Sequence, residues 1–439
     1  MIKSPWKTGL VGILMAVGCG QTQEAEPAAD CSPGVAEVHT GQTYCVYRGP
    51  IIESQFDCPA FAPNQHVLEG VIICSPGETL PPLPGWQTVE PICEYGFEES
   101  CADTSTGFRP ATDIANDLAT LIWQDLPDQT LLSAASNGAL NTRSGVAEQV
   151  SRMLADPRSQ AGLSPFWTQY LQLQQLEAGA RGATAFDADL AGKMLVSTLD
   201  TIHHITMTSA ADTRDVFTSR EVIVEQDVGA IMGLSGLSAT PTLATIPLTE
   251  DRAGVLSHPA FLVGQTDMNY ARIAITWRGI VIRSMLCEDL PPPPEVVTIP
   301  QTADEGSMRS RLAQVTADPA CMGCHTLVDF PSFALEGFDA NGQERTLDNG
   351  FAIDKNGELD SVLLSGASEL GAAMHDSAKM PPCMTKKWLR FMVNSDTETP
   401  MLDEDNLSQA LVVRWEAADY RLNSLIKDIL TSDAFLLAP

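Results

Sequence analysis

Positive charge is scarce in this chain. Its 26 Lys and Arg stand against 56 Asp and Glu, a formal net charge of −30 over 439 residues. That deficit argues against nucleic acid as a partner, because phosphate backbones call for a basic surface. An acidic surface instead suits solubility, or the steering of a partner protein that docks through a basic surface. Long apolar runs are missing beyond residue 18, so no later segment is expected to cross a bilayer. A phosphate-cradling glycine loop is also absent. "GLSGLS" around Ser235 is not a G-x-S-x-G elbow, and no Ser-His-Asp set stands out. The apolar fraction of 44% and charged fraction of 19% are nevertheless those of a folded protein. The length suggests about two to four domains.

What is present begins with an export pattern. In "MIKSPWKTGLVGILMAVGCG", Lys3 and Lys7 form a positive start, and Leu10 to Val17 form an apolar stretch too short for a stable span. Ala16-Val17-Gly18-Cys19 resembles a bacterial lipobox, which implies cleavage after residue 18 and lipidation of Cys19; an ordinary secretory signal is the alternative. Cleavage would remove two lysines and take the charge from −30 to −32. This places the chain in the cell envelope of a Gram-negative bacterium, lipid-anchored at the periplasmic face or outer membrane. Residues 19–30 read as a polar tether.

Cysteine usage agrees with export. Cys31, Cys45, Cys58, Cys74, Cys93 and Cys101 crowd into a Pro- and Gly-rich stretch, residues 31–103, with strand-like runs "YCVY" and "GVIIC". An even set in an oxidising compartment reads as a disulfide framework, for which about 15 pairings exist. The remaining cysteines are Cys287, Cys321, Cys324 and Cys383. If Cys321 and Cys324 serve a cofactor, Cys287 and Cys383 are left as one disulfide.

From residue 104 to 290 the apolar spacing predicts an all-helical domain. "TDIANDLATLIWQDLP" puts Ile114, Leu118, Leu121 and Ile122 on one face, and "GVAEQVSRMLADPRS" does the same with Val146, Val150, Met153 and Leu154. Ser164-Pro165 reads as an N-cap and first-turn pair, and "SREVIVEQDVGAIMGL" as a further helix. "PPPPEVV" within residues 291–300 is a stiff linker. Residues 301–395 form the next module, entered by a helix that a capping box at Thr302 to Glu305 would start, and residues 396–439 are a C-terminal helical segment.

The chemistry concentrates in "CMGCH", Cys321 to His325. Covalent haem attachment needs two thiols for thioether bonds and an adjacent imidazole for the iron, and this spacing supplies all three. Zinc needs four ligands, usually as two pairs, and downstream only His375 and Cys383 remain, not as a tight pair. A redox dithiol would want a βαβ setting, whereas the flanks read as helix before and turns after. The balance favours one covalent haem c with His325 as proximal iron ligand, and zinc and dithiol are the alternatives. For the sixth position, Met380 in "AKMPPC" is the candidate, with Met374 and His375 as competitors and plain core packing as the other reading of Met380. The Pro331 carbonyl is a candidate partner for the imidazole. His203 and His204 read as helix residues rather than ligands, and Asp354 to Asp360 as a hairpin rather than a calcium loop, lacking glycine at its sixth position.

Longer stretches carry a resemblance. They are "IWQDLPDQTLL", "RMLADPRS", "RAGVLSHPAFL", "WRGIVIRSMLCEDLPPPPEVV", "DPACMGCHTLVD", "FALEGFDANGQER" and "DYRLNSLIKDILTSDAF". From about residue 104 onward the chain resembles a family of exported bacterial proteins known as adjacent domains of unknown function 1592, 1588 and 1585 around a c-type haem motif. The resemblance implies haem at Cys321, Cys324 and His325, and cysteines at the positions of Cys287 and Cys383. Two stretches depart from it. Asp329-Phe-Pro-Ser-Phe333 replaces an Asp-Pro-x-Gly-Phe turn, and Val393-Asn394-Ser395 replaces a Gly-Arg ending. The expected fold is mainly α: a helical domain followed by a cytochrome-c-like monohaem module, with a small disulfide-rich N-terminal module. The expected function is single-electron transfer to a redox partner protein. A haem-dependent oxidoreductase with an open sixth site, and a surface binding lipoprotein with a structural haem, are the alternatives.

Overall fold

In the computed structural model, residues 107–176, 188–265, 275–288, 290, 306–393 and 404–437 are described, together with the backbone of four N-terminal strands. The signal, the tether, Cys19, Cys31, Cys58, Cys93, Cys101 and the linker at 291–300 lie outside the described residues. The chain divides into two compact units, residues 1–92 and 93–439.

The first unit holds one antiparallel sheet of β1 (Val35–His39), β2 (Gln42–Arg48), β3 (Asn64–Leu68) and β4 (Val71–Ser75), in the order β1-β2-β4-β3. The "YCVY" and "GVIIC" runs fall in β2 and β4, and the register sets Cys45 opposite Cys74. Both runs are rich in β-branched and aromatic residues, the types that fit a pleated surface.

The second unit is mainly helical. Its first half contains α1 (Ala111–Trp123), α2 (Gln129–Ser136), α3 (Arg143–Leu154), α4 (Ser159–Tyr170), α5 (Ala188–His203), α6 (Gln226–Ile231) and α7 (Pro259–Gly264). The second half contains α8 (Ile275–Ser284), α9 (Met308–Val315), α10 (Pro319–Phe333), α11 (Ala367–His375), α12 (Met380–Met392), α13 (Glu404–Ala417), α14 (Leu422–Thr431) and α15 (Asp433–Leu436). The faces expected for α1 and α3 are largely buried: Ile114, Leu118 and Ile122 in one, Val146, Val150 and Met153 in the other are fully inaccessible, while Leu121 is only half-buried at the edge of its face. The main apolar core of the described residues runs from Ile114 to Leu436, and Ile275 and Phe333 form a smaller second cluster. Residues 104–290 and 301–395 therefore share one interior, because α12 packs on α4 as well as on α13 and α14.

Three local expectations need correction. Ser164-Pro165 does not start a helix: α4 begins at Ser159 and Pro165 lies inside it. The helix expected from "SREVIVEQ" is instead β5 (Glu221–Val224), paired with β6 (Thr242–Thr245), so the region is not all-helical. Val222, Ile223 and Val224 are β-branched and stiff at χ1, which favours the strand. "CMGCH" is not followed by turns, because α10 continues to Phe333. The capping box expected at Thr302 to Glu305 lies outside the described residues; the entering helix α9 takes its cap from Ser307, whose hydroxyl accepts from the Ser310 amide. Short hairpins follow α10: β7 (Leu347–Asp348) with β8 (Phe351–Ala352), and β9 (Gly357–Leu359) with β10 (Val362–Leu364). The expected hairpin near Asp360 is present, turning through Asp360 and Ser361, both at positive φ.

Two fully buried arginines hold this region by its carbonyls. Arg252 donates to the Gly342 carbonyl at 2.7 Å and covers the Phe338 ring, and Arg278 donates to the Leu262 carbonyl at 2.8 Å. Burial pulls both down to about 10, so they keep their charge at neutral pH. His258 is held neutral, pushed to about 3 by burial and by Arg252.

Candidate functional site

The site is built on the crossing of α8 and α10. Gly279 makes the crossing close: a Cβ there would lie 1.7 Å from the Val328 carbonyl oxygen of α10. On either side of Gly279, α8 reaches across. The Thr276 hydroxyl donates to Asp329 Oδ1 at 2.8 Å, and Arg283 Nε donates to the Leu327 carbonyl at 2.9 Å. The second bond explains how α10 survives Pro331. Proline has no N–H, so the carbonyl four residues earlier, that of Leu327, loses its helical donor, and Arg283 supplies one. Arg283 also pairs with Glu288 at 2.6 Å and with Asp360 at 2.7 Å, and Lys379 joins the same two carboxylates. A disulfide between Cys287 and Cys383 then ties the end of α8 to the first turn of α12. The pair left over by the cysteine count is bonded.

On α10, Cys321, Cys324 and His325 fall within an arc of about 100° at the helical pitch. Both thiols are free, Cys321 half-buried and Cys324 exposed. The His325 side chain keeps 31% of its exposure, and its Nδ1 hydrogen-bonds Asp329 Oδ2 at 2.9 Å. A carboxylate only accepts, so Nδ1 carries a proton, and in the neutral imidazole Nε2 then keeps its lone pair. Asp329 is one helical turn on and its side chain is only 5% exposed. Burial raises its pKa, opposed by the bonds from Thr276 and His325. The imidazole's partner is thus this carboxylate and not the Pro331 carbonyl, which accepts from the Ala334 amide at 3.4 Å.

The flanks of the arc are apolar and open. Met322 and Leu327, about 60° outside it on either side, are 51% and 48% exposed. These residues fit a covalently held haem on three counts. Two unpaired thiols lie one turn apart, an imidazole stands ready to coordinate through Nε2, and apolar side chains lie open beside them. Among the described residues no group of three or more His, Cys, Asp or Glu is gathered to hold a metal ion, so a zinc ligand set is not assembled there.

Met380 is the first residue of α12 and is fully buried in the shared core, as is Met374 in α11. His375 bonds Asp376 at 2.6 Å and faces Asp215 at 3.5 Å. His204 sits 3.1 Å from Glu221 near the surface. Reading the sequence missed Gly279, Thr276, Arg283 and the role of Asp329. Two signals were available. A glycine inside the apolar helix "WRGIVIR" marks a close approach, and an aspartate four residues after His325 lies on its face.

Comparison with protein families gives two matches. Residues 110–234 match the model PSD4, a protein of unknown function (DUF1592), and residues 252–348 match PSCyt3, a protein of unknown function (DUF1588). The second match contains the whole α8–α10 crossing and the "CMGCH" turn. No curated protein and no solved structure matches the chain.

Proposed function

We propose that Cys321 and Cys324 bind one haem c through two thioether bonds, that His325 is its proximal iron ligand, and that the protein transfers single electrons in the cell envelope. One observation carries the reading: both thiols and the imidazole lie on one turn of α10, with Nδ1 engaged by Asp329 and Nε2 left for a metal. The cytochrome-like abbreviation in the name PSCyt3 supports it, since that match spans the motif. Bound there, haem would supply a one-electron Fe(III)/Fe(II) couple. The chain's own part is to anchor the group by Cys321 and Cys324, to orient the imidazole through Asp329 and Thr276, and to cover apolar edges with Met322 and Leu327. The formal charge of −30 supports a redox partner with a basic docking surface, and Cys19 would hold the chain to the membrane by lipid.

The burial of Met380 bears on the sixth position. As a ligand it would leave the core that it fills in α12, which favours, as the second reading, an oxidoreductase with an open sixth site. Reduced-minus-oxidised absorption of the protein, exported from cells with a haem c maturation system, tests both. Sharp c-type bands unmoved by carbon monoxide support the carrier with a closed sixth site. Bands that shift with carbon monoxide support the open site, and absent bands refute the haem.

A further inference from the structure

We infer that Asp329, aligned by Thr276, is the positioning residue of His325 and biases the site toward the oxidised state; this rests on the haem reading above. Three observations support it. Asp329 Oδ2 accepts from His325 Nδ1 at 2.9 Å, Asp329 Oδ1 accepts from the Thr276 hydroxyl at 2.8 Å, and the carboxyl group is buried against α8. Both oxygens are therefore directed, one by each helix, and the imidazole is locked in one tautomer with Nε2 outward. Thr276 and Asp329 meet because Gly279 lets α8 and α10 touch backbone to backbone. The orientation is thus a property of the crossing and not of α10 alone.

The chemical consequence follows from charge. A carboxylate drawing on the Nδ1 proton raises the electron density that Nε2 offers, more than a neutral carbonyl acceptor does. A richer donor stabilises Fe(III) over Fe(II), so the electron taken up in the one-electron step is held less tightly and passed on more readily. The donor and acceptor of that electron are proteins of the redox-partner class already proposed. Asp329 touches neither the iron nor a substrate; it acts through His325.

The test uses the exported full chain with Asp329→Asn, Asp329→Ala and Thr276→Val. Asparagine keeps the size and an acceptor oxygen but removes the charge. The midpoint potential, read by spectroelectrochemistry, is expected to rise in D329N by at least tenfold in the Fe(II)/Fe(III) ratio at fixed poise, which is 59 mV for one electron. Haem content should stay near wild type. T276V should shift the potential in the same direction by less. Unchanged potentials in a fully loaded D329N overturn the inference, as does a loss of haem content in D329A with no change of potential in the molecules that remain loaded. A second readout needs no haem. In the haem-free protein at alkaline pH, nitrogen NMR of His325 should show the proton on Nδ1 in wild type and a mixture of tautomers in D329A, and a proton on Nε2 in wild type overturns the inference. A wild-type protein that takes up no haem refutes the proposed function instead, and the tautomer measurement still decides the role of Asp329.

Discussion

Replacing Gly279 with alanine should separate the two helices that make the site. The added Cβ would lie 1.7 Å from the Val328 oxygen, 2.5 Å from its carbon and 2.9 Å from its Cα. Ordinary carbon contacts sit at about 3.5 Å, so α8 or α10 must retreat by more than about 1.5 Å. Both sides of the contact are backbone, and no rotamer change relieves it. A retreat of that size breaks the Thr276–Asp329 bond at 2.8 Å and the Arg283–Leu327 bond at 2.9 Å, because both then exceed hydrogen-bond reach. Bonds involving charged groups contribute about 1.5–3 kcal/mol each, and overpacking costs about 1–3 kcal/mol. Alanine returns about 1 kcal/mol through helix propensity. The expected net loss is about 3 kcal/mol or more, a large share of the roughly 5–15 kcal/mol that holds a domain folded. Gly192 on the exposed face of α5, where an added methyl would meet no atom within 4 Å, is the control, and Gly192→Ala should gain up to about 1 kcal/mol. Urea unfolding followed by circular dichroism measures both. A Gly279→Ala protein within about 0.5 kcal/mol of wild type would refute the close crossing, because additive error is of that size.

Two further changes probe the same unit. Glu336 lies buried beside Arg345, and its burial pushes the carboxyl up to about 7. Its folded pKa is above its unfolded one, so its contribution is fully present below about pH 4.5 and lost as pH rises through about 7. Glu336→Gln should remove that dependence, gaining on the order of 3 kcal/mol relative to wild type between those limits, and parallel stability–pH curves would contradict it. Removing the Cys287–Cys383 disulfide, which closes a loop of 96 residues, should cost about 2–5 kcal/mol in urea unfolding. Equal midpoints for the Cys287→Ser, Cys383→Ser protein and wild type would mean that the link between α8 and α12 adds no stability.

The sequence made some of this legible and hid the rest for physical reasons. The α1 and α3 faces were readable because their apolar residues recur at the helical period and pack inward. The strand β5 was misread since a three-residue apolar run, Val222 to Val224, fits both a helix and a strand, and only pairing with β6 decides it. The helix α10 was cut short in the reading because turns were expected after "CMGCH", and the donor that replaces the N–H missing at Pro331 comes from Arg283, 44 residues away in sequence from the carbonyl it serves. The "CMGCH" turn itself was plain, as its chemistry needs no tertiary partner. Its support was not: Thr276 and Arg283 act across a helix crossing whose closeness depends on one glycine.

The central claim is the covalent haem, and intact mass under denaturing conditions tests it most directly. Protein exported from cells that mature haem c should keep the mass of one haem after unfolding, and the Cys321→Ala, Cys324→Ala double variant should lose it. A wild-type mass equal to that of the polypeptide alone, with both thiols free to alkylate, would contradict the account.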